Sequence, residues 1–141
     1  MKPNLKKQYY KNLVLSMTLY RRHGKDNIAK PILLLAIIDG ISNGYLIGNH
    51  ITFTDKLVAK YNSLFHSFSS DPITPCIYPF YYLNNDNFYY IKGPTTRKTP
   101  SAKFLRENVE YAALDDELWD LLQDADTREE FKQSIIAHFL K

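Results

Sequence analysis

The chain has 141 residues and a mass of 16.5 kDa, 45% of it hydrophobic, 14% aromatic and 23% charged, with a formal net charge of +3. That length suits one domain with a real core, and the mixing of polar and apolar residues excludes disorder. The longest apolar run, Ile32 to Ile38, is far short of the roughly 20 residues of a membrane span, and no signal-peptide pattern opens the chain. Cys76 is the single cysteine, so disulfides and thiolate metal clusters are excluded and a reducing compartment, the cytoplasm, is expected.

The small net charge conceals a segregation. Residues 1–30 carry eight Lys or Arg against one Asp, and residues 92–106 carry five bases and no acid. Residues 107–141 carry ten acids against three bases. Two basic segments folded onto one face would attract a polyanion by Coulomb steering and counterion release, which puts nucleic acid first among partner classes. The plainer reading is that Lys2, Lys6, Lys7 and Lys11 only solubilise an exposed helix.

In chain order, Lys7 to Leu19 reads as an amphipathic helix, and Arg21 to Asn27 as a polar loop. Pro31 fits the first turn of a second helix whose Ile32-Leu33-Leu34-Leu35-Ala36-Ile37-Ile38 is apolar on all sides, as a central helix must be. Asn43-Gly44 stops it, and Tyr45 to Phe53 is extended with a bend at Gly48-Asn49. Thr54 caps a third helix, Asp55 to about Phe68, with Leu57, Tyr61, Leu64, Phe65 and Phe68 on one stripe. The aromatic runs Tyr78 to Leu83 and Phe88 to Ile91, separated by Asn84-Asn85-Asp86-Asn87, read as a β-hairpin. Lys92 to Pro100 is a basic loop, and Ser101 or Thr99 starts a helix from Lys103 to Asn108. Asp115 to about Gln123 and Thr127 onward are helices, the second opened by a capping box, Thr127-Arg128-Glu129-Glu130. The predicted class is α+β: a single compact domain, about five helices around a central buried helix with one or two small antiparallel β-ribbons.

Catalytic patterns are absent from the sequence. His23, His50, His66 and His138 are scattered, none at metal-ligand spacing, and Asp115-Asp116-Glu117 fit the acidic start of a helix. Cys76 has no activating neighbour in sequence. No catalytic residue, metal or cofactor is expected. Binding is better supported. Lys30-Pro31 opens the buried helix and Tyr78-Pro79-Phe80 opens the hairpin, so the two can meet as a shallow cavity with apolar walls and a cationic rim. Such a cavity favours an anion with a weakly hydrated atom, such as a phosphate in which sulfur replaces one non-bridging oxygen, because sulfur costs less to desolvate than oxygen. The alternative is that Tyr78, Pro79 and Phe80 form a strand packed on Leu33 and Leu34.

Three segments carry a resemblance: Ala29 to Ala36; Tyr78 to Leu83 with Asn87 to Ile91; and Leu114 to Asp124. In this order and spacing they resemble the sulfur-binding domain of phosphorothioate-dependent HNH restriction endonucleases, over about Leu13 to Leu140. The resemblance implies a domain that binds double-stranded DNA carrying phosphorothioate linkages. It also implies an attached or associated HNH nuclease, usually in a domain that follows; this chain stops where that domain would begin. Tyr78, Pro79 and Tyr82, with Pro31, would form the sulfur cavity, and Lys30 would sit beside the modified phosphate. Arg22 matches a DNA-contacting basic position. The Arg97-Lys98 loop occupies the place of a base-reading segment, with Arg97 assigned to guanine. Arg21, Lys25, Lys92 and Lys103 would position the backbone. Two positions depart: Ala29 stands where His is frequent, and Tyr82 where His or a small residue is frequent. The alternatives are a DNA-binding domain indifferent to sulfur, and a protein-interaction module using the acidic helices of Asp115 to Leu140.

Overall fold

A computed structural model describes residues 3–95 and 99–141; the side chains of Pro3, Asn4 and Arg22 also lie outside the described set. Helix α1 (Pro3–Leu15) leads to a ribbon, β1 (Arg21–Arg22) and β2 (Lys25–Asp26), with Arg21 opposite Asp26 and Arg22 opposite Lys25. A paired ribbon thus stands where the polar residues Arg21 to Asn27 predict a loop. The ribbon closes because His23 and Gly24 both adopt positive φ, 53° and 74°, the two-residue turn whose twist matches antiparallel strands.

Helix α2 (Ala29–Ser42) is the centre of the molecule: Ile32, Leu33, Ala36 and Ile37 are completely buried. The Asn27 side chain accepts the Ala29 N–H at its start, and at its end Asn43 donates back to Asp39 before Gly44 turns the chain at φ 80°. Near that end, a Cβ on Gly40 would lie 2.7 Å from Leu46, so only glycine lets the following segment fold back this closely. Helix α3 (Asp55–Phe68) starts where Thr54 accepts the Leu57 N–H and lays Leu57, Tyr61 and Phe65 along α2.

The predicted aromatic hairpin is not formed. The first run is helix α4 (Ile77–Tyr82), continued by a 3₁₀ turn at Leu83–Asn85. Only the second is a strand, β3 (Tyr89–Lys92), and its partner is β4 (Tyr111–Leu114), with Tyr89 opposite Leu114 and Lys92 opposite Tyr111. The difference follows from burial: Pro79, Phe80 and Tyr81 are buried consecutively, which a two-faced ribbon strand cannot provide, whereas β3 alternates buried Tyr89 and Ile91 with exposed Tyr90 and Lys92. Ile51 joins the other side of β4 through paired hydrogen bonds with Ala112 at 2.6 and 2.7 Å.

Helix α5 (Ala102–Asn108) is capped by Ser101, as predicted. Helices α6 (Asp116–Leu121) and α7 (Ala125–Phe139) close the fold, with Leu118, Trp119 and Leu122 inward. The predicted capping box at Thr127 is displaced. Asp124 is the cap, accepting both the backbone N–H and the hydroxyl of Thr127, each at 2.9 Å, and this holds its carboxyl below the ordinary range. The described residues thus form seven α-helices and two two-stranded antiparallel ribbons, an α+β fold with two helices more than predicted.

The basic start and the acidic end meet each other. Lys6 lies 3.6 Å from Glu117, and Lys11 and Lys7 lie 2.9 and 3.9 Å from Glu130. Among the described residues, Lys6, Lys7 and Lys11 of α1 therefore answer acids of α6 and α7, and residues 1–30 do not act as one cationic block. No helix among the described residues is long and apolar enough to cross a membrane.

Candidate nucleic-acid interface

Helices α2 and α4 pack together, and each carries proline as its third residue, in Lys30-Pro31 and Tyr78-Pro79. Proline is tolerated there because first-turn N–H groups have no helical acceptor. Both prolines are buried; Tyr78 and Tyr82 are half-buried, and the Tyr82 ring meets Tyr81 edge-on at 5.4 Å.

Lys30 is fixed by two segments distant in sequence, those of Thr18 and Asp86. Its ammonium donates to Asp86 at 2.6 Å and to the Thr18 carbonyl at 2.8 Å, while the other Asp86 oxygen accepts the Thr18 N–H at 2.8 Å. The side chains of Lys30 and Asp86 are only 13% and 3% exposed, so the pair is shielded from water and salt. Asp86 lies directly after the 3₁₀ turn that extends α4. It therefore ties the start of α2, the irregular segment leading to the β1–β2 ribbon and the exit from α4 at one point.

The remaining predicted bases are distributed around this cluster. Arg21 is exposed on the ribbon, 3.1 Å from Asp26 and donating to the Gly24 carbonyl, so its guanidinium stiffens the turn. Lys25 donates to Asp71 at 2.7 Å and thereby holds the Asp71 carboxyl below its ordinary value. Lys92 ends β3 and Lys103 lies on α5; both are exposed, and no ion pair involves either among the described residues. Helix α5 packs on α4 through the Phe104 and Tyr81 rings, 6.1 Å apart. Arg97, Lys98 and the Arg22 side chain lie outside the described residues.

Two surface cavities, of about 330 and 220 Å³, border β2 among Met17, Ile28, Phe65, Phe68 and Phe139; neither is lined by Lys30, Pro31, Tyr78, Pro79 or Tyr82. Cys76 is buried, and burial pushes its thiol up to about 12. Among the described residues no group of His, Cys, Asp and Glu is arranged to hold a metal.

Sequence reasoning missed two residues. Asp86 was taken into a turn, although it is the sole acid between Asp71 and Glu107. Tyr20 is 68% exposed, beside the two arginines of β1. The signal for Tyr20 was local, an aromatic residue abutting paired arginines, whereas no local pattern ties Asp86 to Lys30.

No family model and no curated protein matches this sequence. Among solved structures, the chain is similar to the sulfur binding domain of ScoMcrA complexed with phosphorothioated DNA: the TM-score is 0.69, the identity 17%, and the match covers 92% of this chain and 86% of that one. The architecture implied by the three sequence segments is thereby found in a solved domain, and this chain shares the fold of that sulfur binding domain.

Proposed function

We propose that the chain binds double-stranded DNA and prefers a backbone in which sulfur replaces one non-bridging phosphate oxygen. The observation that supports this reading is the packing of α2, which carries Lys30 held by Asp86, against α4, which carries Tyr78, Pro79 and Tyr82, in a fold shared with a domain complexed with phosphorothioated DNA. Lys30 offers a donor to a phosphate oxygen. Tyr78 and Tyr82, backed by Pro79 and Pro31, offer carbon surface to a larger, less hydrated atom, against which sulfur loses less hydration than oxygen. Arg21, Arg22, Lys25, Lys92 and Lys103 are assigned to phosphates, and Arg97 with Lys98 to base edges. The chain performs binding and no bond-breaking step; it serves as the targeting module of a modification-dependent restriction endonuclease with an attached or associated HNH nuclease.

Titration of identical duplexes with and without one phosphorothioate tests the reading. Tighter binding of the sulfur-containing duplex supports it, and equal affinity overturns it in favour of a general DNA binder. Lys30→Ala should weaken both complexes, whereas Pro79→Ala should chiefly reduce the ratio between them. On the acidic helices, Glu117 and Glu130 already face Lys6 and Lys11 of α1, which takes these two carboxylates away from a basic partner.

A further inference from the structure

We propose that Asp86 is a specificity-determining positioning residue: it balances the charge of Lys30 and aims its ammonium, so that the contact with the DNA backbone does not favour ordinary phosphate over phosphorothioate. The inference rests on the placement of Lys30 beside the backbone given above, and it deepens that reading.

An ammonium has three protons. The Thr18 carbonyl and Asp86 take two of them at 2.8 and 2.6 Å, leaving one for a ligand among the described residues. Asp86 is itself held in place, since its second oxygen accepts the Thr18 N–H at 2.8 Å. A lysine on a free four-carbon stem would behave differently. As a compact, hydrated cation it would move to whichever oxygen is available, and an ordinary phosphodiester presents two non-bridging oxygens where a phosphorothioate presents one. A mobile Lys30 would therefore strengthen the unmodified complex more than the modified one. A Lys30 aimed by Asp86 donates one hydrogen bond in one direction, to the oxygen common to both linkages, and leaves discrimination to the apolar contacts at the end of α4. The carboxylate also cancels much of the charge that would otherwise release a counterion from any DNA.

The experiment uses the full chain with Asp86→Asn, Lys30→Met and the double variant, titrated against matched duplexes with and without one phosphorothioate at several salt concentrations. Circular dichroism checks folding. In Asp86→Asn the amide cannot accept from both the Lys30 ammonium and the Thr18 N–H and it carries no charge, so Lys30 loses its charge balance and its fixed aim in either orientation. The unmodified duplex should then bind on the order of fivefold tighter, the sulfur-to-oxygen ratio should fall, and the salt slope should steepen by up to about 0.9 for the regained charge. Lys30→Met should abolish all three changes in the Asp86→Asn background.

An Asp86→Asn protein that weakens both duplexes equally, or leaves ratio and slope unchanged, overturns the proposal. Should Asp86→Asn alone fail to fold, the double variant still decides: matching Lys30→Met in ratio and slope supports action through Lys30, and differing from it overturns that action. A wild-type protein with no sulfur preference would instead defeat the functional reading, while the slope comparison would still report whether Asp86 balances Lys30.

Discussion

The Tyr89 hydroxyl donates to the Phe80 carbonyl at 2.6 Å, in a bond buried from solvent on both sides. Their rings also meet edge-on at 6.3 Å, so strand β3 seats helix α4 by a polar and an apolar contact at once. Tyr89→Phe keeps the ring and leaves the carbonyl without that donor, which should cost about 1–3 kcal/mol. A lowered urea midpoint with an unchanged denaturant slope is the expected result; an unchanged midpoint would show that the bond contributes nothing net.

Bases answered by acids of the same fold should differ from those that are not. Lys11, 2.9 Å from Glu130, is already engaged, whereas Lys92 and Lys103 are exposed and in no ion pair among the described residues. Lys11→Ala should leave DNA affinity within about twofold, and Lys92→Ala or Lys103→Ala should each reduce the magnitude of the salt slope by up to about 0.9. Titrations from low to moderate salt would compare them, and an equal loss in all three variants would refute the distinction.

The Glu130 carboxyl is held below its ordinary value of 4.5, first by the hydrogen bond from Lys11, which outweighs the opposing effect of burial, and then by the charges of Lys11 and Lys7. The folded state therefore binds fewer protons at this site than the unfolded state. Its contribution to stability is complete above the unfolded value near 4.5 and is lost as pH falls through the lower folded value. Because both side chains are partly exposed, the effect belongs to the surface-pair range, below about 1 kcal/mol. Urea midpoints of wild type and Glu130→Gln should differ at pH 6 and draw together as pH falls below 4.5.

With its thiol pushed up to about 12 by burial, Cys76 should be nearly inert. At pH 8 a disulfide reagent should label the native protein very slowly and the urea-unfolded protein at once. Fast native labelling would mean that the segment between α3 and α4 opens readily.

What could be read from the chain beforehand followed local punctuation. Pro31, Asn43-Gly44 and Thr54 mark the limits of α2 and α3 because capping and stopping are decided within a few residues. The error at α4 had the opposite origin. Tyr78 to Leu83 is aromatic enough for a strand, and its helical state is favoured by burial of three consecutive residues and by a β3 partner that arrives only at Tyr111. Thr127 likewise fitted a capping pattern, yet Asp124 begins the helix three residues earlier. At the candidate site Lys30 was visible through its position beside Pro31. Its partner was not, because Asp86 lies 56 residues away and no periodicity links the two.

Lys30 grows from the first turn of the buried helix on which α3, α4 and α7 pack, and Asp86 locks its tip. A partner that touches this amine meets a group whose rotamers were frozen when the chain folded, so little further motional freedom is surrendered on contact. Association at this point should resemble insertion into a rigid die: shape mismatches are rejected rather than accommodated, and the free and occupied proteins should be nearly superimposable there.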